Sequence, residues 1–128
     1  MTATALQALL LQRLHGARNQ RQTLTYRQLL ESLSLPAPKM QQLARLLEAL
    51  AAQDAARGWP LRSALVISQT DSNLPRAGFF QHAQRLGLLP QAYAEAAWPS
   101  WHADELQRVF AFDYPEDAPC SGGNGGPS

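Results

Sequence analysis

Residues 23–58 read TLTYRQLLESLSLPAPKMQQLARLLEALAAQDAARG, and the way this stretch divides decides the fold. Thr25 stands where a helix N-cap belongs, and Gln28 three residues on completes a capping box, in which each side chain meets the other residue's backbone N–H. Leu24 before the cap and Leu29 after it form the matching hydrophobic staple. Tyr26, Leu29, Leu30 and Leu33 then give a short helix an apolar face. Pro36 and Pro38 end that helix and open the next, because a proline at a first helical position lacks only an N–H that would have had no partner there. The next helix is expected over residues 38–56, with Leu43, Leu46, Leu47 and Leu50 as its inward stripe and Gly58 as its C-terminal cap. Its other face carries Lys39, Gln41, Gln42, Arg45, Glu48 and Gln53. Two helices across a tight turn, the second polar on its outer face, make the pattern of a helix-turn-helix.

Downstream, Ala64, Leu65, Val66 and Ile67 form a continuous apolar run of strand length, which points to a strand covered on both sides. Residues 69–78 hold Asp71, Ser72, Asn73, Pro75 and Gly78, a strong turn signal. A hairpin there would be a wing, with Arg76 near its tip or on its return strand. Phe79, Phe80, Ala83 and Leu86 have helical spacing, closed by Gly87. A short Ala-rich helix is expected over residues 90–98. A last helix, WHADELQRVFAF, follows an N-cap at Ser100, with Asp104 and Glu105 in its dipole-favoured early turns and Leu106, Val109 and Phe110 inward.

Upstream, Leu6, Leu10 and Leu14 recur every fourth residue with Leu9 beside them, giving a helix over residues 3–15 stopped at Gly16. The polar linker over residues 17–22 carries Arg18 and Arg21 and is expected to be solvated. The expected fold is therefore mainly α with a small β-hairpin: a winged helix-turn-helix with extra N- and C-terminal helices. It occupies residues 1–112 as one domain, and the Pro/Gly/Ser-rich residues 113–128 are expected to be disordered.

Composition narrows the function. The chain has 128 residues, 45% hydrophobic and 16% charged, enough to bury a core. No apolar run reaches the ~20 residues of a membrane span, so no membrane association is expected. The first helix has no basic residues before it and no small-residue cleavage site after it, which makes it amphipathic rather than a secretory signal. Cys120 is the single cysteine, so no intrachain disulfide and no cysteine metal site can form, and a cytoplasmic location is expected. The net charge of +1 hides an asymmetry: residues 1–85 hold ten basic and four acidic residues, residues 86–128 one basic and six acidic.

Catalytic signals are absent from the sequence. His15, His82 and His102 lack metal-ligand spacing, and Ser63 and Ser68 lie in no G-x-S-x-G elbow. The tail glycines follow no strand, and Asp104 and Glu105 diverge on a helix. No enzyme activity, metal, cofactor or small-molecule cofactor is expected. Nucleic-acid binding has more support, since phosphate contacts need exposed cations and base reading needs side chains on a groove-entering helix. Lys39, Gln41, Gln42 and Arg45 are the expected base-facing set, with Thr25, Tyr26, Arg27 and Arg76 towards the backbone. DNA is thus the expected partner. A protein-interaction or dimerisation module of the same fold is the alternative, favoured by the near-neutral charge and the apolar terminal helices.

The run Thr25, Tyr26, Arg27, Gln28, Leu29, then Pro36, an Ala/Leu-rich helix, a Pro-containing turn and an apolar strand resembles the C-terminal domain of alkylguanine-DNA alkyltransferases and their catalytically inactive alkyltransferase-like relatives. The resemblance spans residues 25–78. In that family a T-Y-G-x-[LIV] helix opens a winged helix-turn-helix that binds the DNA minor groove, which implies that Tyr26 would lie against the phosphate backbone. The family's P-C-H-R motif is missing: Val66, Ile67, Ser68 and Gln69 stand there without a cysteine. Arg27 replaces the family's glycine, and Gln42 falls near its intercalating arginine. The resemblance therefore implies a DNA-facing surface and no alkyl transfer.

Overall fold

The computed structural model describes residues 3–69 and 73–115. Helix α1 spans Ala3–Asn19, α2 Tyr26–Ser32, α3 Lys39–Ala56, α4 Ala77–Arg85 and α5 Trp98–Ala111. Among the described residues no helix is long and apolar enough to cross a membrane.

The capping box forms as the sequence requires. Thr25 Oγ1 accepts the Gln28 N–H at 3.0 Å, and Gln28 Oε1 accepts the Thr25 N–H at 2.9 Å. The stripe on α3 also forms: Leu43, Leu47 and Leu50 are buried and Leu46 packs partly against them. Helix α3 ends in a Schellman arrangement. The Trp59 N–H reaches the Asp54 carbonyl at 2.9 Å and the Gly58 N–H the Ala55 carbonyl at 3.1 Å. Gly58 takes φ +72°, where a Cβ would be strained. Gly87, at φ +79°, closes α4 in the same way.

Leu6, Leu10 and Leu14 are buried and join Leu29, Leu33, Leu43, Leu50 and Val109 in the larger apolar cluster. Burial of each such leucine contributes ~1.5–3 kcal/mol. A second cluster joins Ala51, Leu61, Phe80, Ala83, Leu89 and Trp98, with the Phe80 and Trp98 rings stacked at 4.6 Å.

Several expectations need correction. Helix α1 does not stop at Gly16 but continues to Asn19. A mid-helix glycine costs about 1 kcal/mol, and here the next turn is anchored from outside. Ala17 is buried, and the Arg18 guanidinium donates to the carbonyls of Val109 (3.1 Å) and Phe112 at the end of α5. Arg18 is thus a fastening between the terminal helices rather than a solvated linker residue.

The apolar run Ala64 to Ile67 is buried throughout but is only partly a strand. Residues Arg62–Leu65 form a 3-10 turn, and only Val66–Ile67 (β2) is extended. Strand β2 pairs in parallel with β1, Leu24–Thr25, in the register Leu24↔Val66 and Thr25↔Ile67. The β element is therefore a two-residue parallel pair bridging two loops, not the expected hairpin. Among the described residues of 69–78 there is no strand; the loop is closed by the Ser68 N–H on the Leu74 carbonyl at 2.8 Å, and Asp71 and Ser72 lie outside the described residues. Pro75, with no N–H to give a ladder, disfavours a central strand there.

Residues 90–98 do not make an Ala-rich helix: a short 3-10 turn, Glu95–Ala97, leads directly into α5. The residue at the α5 N-cap is Ala97, and Ser100 lies within the first turn beside Pro99. Packing also runs past residue 112. Tyr114 is buried and its hydroxyl donates to the Pro60 carbonyl at 2.8 Å, while residues 116–128 of the expected tail lie outside the described residues.

At the centre lies a buried ion pair. The Asp54 carboxylate, on α3, accepts from Arg62 through its backbone N–H (3.0 Å), Nε (3.2 Å) and terminal guanidinium nitrogen (2.7 Å). Both side chains are 0% exposed. The Arg62 guanidinium also faces the Tyr114 ring at 4.8 Å and meets His15 Nε2 at 3.2 Å, so the His15 nitrogen acts as acceptor.

Replacing Asp54 with Ala is expected to destabilise the fold by about 3–5 kcal/mol, because it leaves the buried guanidinium without its counter-charge. Urea unfolding measures this; a loss under ~1 kcal/mol would mean that water reaches Arg62. A second expectation concerns His102, whose Nε2–H donates to the Ala64 carbonyl at 2.8 Å. Burial lowers its pKa below the ordinary 6.5, and the hydrogen bond to the Ala64 carbonyl partly offsets this. The folded state then binds fewer protons than the unfolded one, so stability falls as pH drops through about 6.5. In His102→Gln, which keeps a donor for Ala64, the melting temperature is expected to fall less steeply between about pH 7 and 5.5.

Candidate nucleic-acid interface

A capping box fixes where α2 begins, and this sets the direction of Tyr26, its first residue. The Tyr26 hydroxyl accepts the backbone N–H of Arg76 at 3.0 Å. Arg76 is the N-cap of α4, with extended backbone and no side-chain cap bond. One phenol therefore ties the first turn of α2 to the entry of α4, across a sequence separation of 50 residues. The Arg76 guanidinium sits 6.0 Å from the centre of the Tyr26 ring. Burial raises the Tyr26 pKa, an effect partly countered by the Arg76 N–H and guanidinium, so the phenol keeps its proton at neutral pH.

The expected site residues separate into groups. Tyr26, Gln41 and Arg76 line one cavity between α3 and α4. Arg27 and Lys39 line a different, open groove along the loop that joins α2 to α3. Arg45 is exposed on α3 and lines neither, and Gln42 is half-buried, its N–H on the Pro38 carbonyl at 3.1 Å. The Thr25 side chain is committed to capping α2. Arg76 belongs to no wing strand; it starts a helix. The exposed pair Arg27–Glu31, 3.6 Å apart and one helical turn along α2, is worth little in water.

Helix α3 thus presents Gln41, Arg45 and Glu48 at successive 3–4 residue steps on one exposed face. Lys39 adds a charge at its first turn. The Glu48 carboxylate sits one turn beyond Arg45 and reduces the positive potential of the C-terminal half of that face.

Sequence reasoning passed over the residues that complete the cavity: Ser63, Phe79, His82, Glu48 and the small residues Ala44, Ala51 and Gly78. One signal was available. Ala44 and Ala51 are two turns apart on α3, where larger side chains would have filled the space against α4. No protein-family model, curated protein or solved structure matches this chain.

Tyr26→Phe deletes the acceptor for the Arg76 N–H while preserving the ring. A stability loss of about 0.5–1.5 kcal/mol is expected, together with faster amide exchange at Arg76. Unchanged exchange would show that the tie carries no load.

Proposed function

We propose that this protein binds nucleic acid, DNA first, without catalysing a reaction, through a winged helix-turn-helix arrangement in which α2 and α3 address the duplex. The observation that carries this reading is the row of exposed donors on the N-terminal half of α3 and the entry of α4: Lys39, Gln41, Arg45 and Arg76. Among the described residues, the Lys39, Arg45 and Arg76 side chains take part in no ion pair. Cations left unpaired on a surface that also carries an amide are what phosphate and base contacts need. Gln41 would pair with adenine and Arg45 with guanine, the fork of each side chain matching two groups on the base edge. Arg27, Thr25 and Gln42 would stand at the margin of the contact, and residues 73–76, leading into α4, would take the place of a wing.

The resemblance of residues 25–78 to alkyltransferase-like proteins supports DNA binding as such, while the Gln41 and Arg45 pairings are major-groove contacts unlike that family's minor-groove mode; the missing cysteine favours binding over transfer. The charge asymmetry supports DNA binding as well, since the proposed contact residues all lie in residues 1–85, which carry a net +6.

A second reading, a protein-interaction or dimerisation module, is favoured by Leu88 and Tyr93, which are 40% and 46% exposed just beyond α4.

A salt titration on a labelled random-sequence duplex separates the two. Micromolar binding that falls steeply between low and moderate salt is expected, and Lys39→Ala or Arg45→Ala should each reduce the log–log slope by about 1 while leaving the melting temperature unchanged. Absence of binding at low salt would overturn the DNA reading. Self-association abolished by Leu88→Asp would then support the interface.

A further inference from the structure

Helix α3 carries an acid in the middle of the face proposed to meet the duplex. Gln41, Arg45 and Glu48 are all exposed, at steps of four and three residues, so one line along the helix holds an amide, a cation and an anion. Glu48 takes part in no ion pair among the described residues, although Arg45 stands one turn before it and Arg76 lines the same cavity. Its exposed neighbours further along the helix, Ala49 and Ala52, offer no cation to neutralise it. A carboxylate in that state works against a contact made with phosphates alone. Purely electrostatic binding would be better served by a neutral or basic side chain there.

We propose that Glu48 is a specificity-determining residue that selects cytosine in the major groove. This rests on the reading that α3 addresses the duplex. The four bases differ in what they present to a carboxylate. Guanine offers the acceptors N7 and O6, and thymine the acceptor O4, all of which repel it. Adenine offers its N6 amino group beside the N7 acceptor, so one carboxylate oxygen gains a donor while the other is repelled. Cytosine offers the N4 amino donor and no acceptor, so an acid that loses its water there recovers a hydrogen bond. Spacing fits direct reading as well. Along the helix axis Arg45 to Glu48 is about 4.5 Å and Gln41 to Glu48 about 10.5 Å, against a rise of about 3.4 Å per base pair. The cytosine under Glu48 therefore lies about one or two base pairs from the guanine under Arg45, with the adenine under Gln41 at the other end of the target. On any other sequence the carboxylate is left without a donor, so Glu48 raises the ratio of specific to non-specific binding.

The test is enrichment of a random duplex library on the full-length protein, wild type and Glu48→Gln in parallel, followed by titration of single duplexes. Glu48 is exposed and the substitution keeps its shape, so an unchanged melting temperature is expected. The wild type should enrich a motif with a cytosine about one or two base pairs from a guanine, and replacing that cytosine by thymine should weaken binding roughly tenfold. Glu48→Gln should change the preference at that position alone, from cytosine to adenine, whose N6 and N7 a glutamine amide matches. It should also bind the unselected library more tightly, because a repulsion of the phosphates is gone. Arg45→Ala should lose the guanine and keep the cytosine.

The same enriched motif for wild type and Glu48→Gln would overturn the inference, placing Glu48 off the bases. Salt-dependent binding of the library with no motif enriched would also overturn it, while leaving the nucleic-acid reading in place. No binding of the library at low salt would overturn both.

Discussion

The fold depends on satisfying the backbone of one buried, irregular segment. Residues 60–65 cross the interior between α1, α3 and α5, and no sheet ladder runs alongside them. Buried N–H and C=O groups without partners are costly, so side chains from distant elements supply the partners. Asp54 takes the Arg62 N–H, Glu105 the Leu61 N–H at 2.7 Å, Tyr114 gives its proton to the Pro60 carbonyl, and His102 gives one to Ala64. The Asp54–Arg62 pair is the centre of this clasp. Its carboxylate pairs with the guanidinium and also holds the Arg62 main chain, so charge pairing and chain path are fixed by the same atoms. Two desolvated ions are expensive, and only such saturated geometry offsets the cost.

The clasp positions the surface where function is proposed. It sets the 3-10 turn against α3, which places Ser63 on one wall of the cavity and delivers β2 to its pairing with β1. That pairing holds the residues just before α2, so the start of the first helix of the pair is tied to the far side of the core. Tyr26 then reaches Arg76 from this fixed base. The entry to α4 is tied to the rest by the Tyr26–Arg76 bond, and the Ser68 N–H meets the Leu74 carbonyl.

Legibility in the sequence followed the range of the interaction. The capping box at Thr25, the leucine stripes of α1 and α3 and the glycine stops at Gly58 and Gly87 were all readable, because each joins residues within about two helical turns. Gly16 misled because the force that overrides it, Arg18 docking on Val109, acts across 91 residues. The strand pairing was hidden for a related reason: a parallel two-residue pair leaves no alternating pattern, and Leu24 and Val66 carry no mark that they are partners. Of the proposed site, the exposed cations of α3 were readable from helix phase. The cavity was not, apart from the small residues Ala44 and Ala51.

By itself the sequence determined the main helices, their apolar faces and the ends at Thr25, Gly58 and Gly87, since these are set by contacts three to seven residues apart. It also held one clue to the core that lay unread: Asp54 falls on the Leu43, Leu47, Leu50 stripe, where an acid requires a buried partner. Only the tertiary structure decided that the partner is Arg62 and that the clasp closes through Glu105, His102 and Tyr114. The same holds for the space left between α3 and α4. Hydrogen bonds that satisfy a buried, irregular backbone are specified by position in space, and residues 44 apart in the chain, such as Leu61 and Glu105, meet only when every intervening helix has packed.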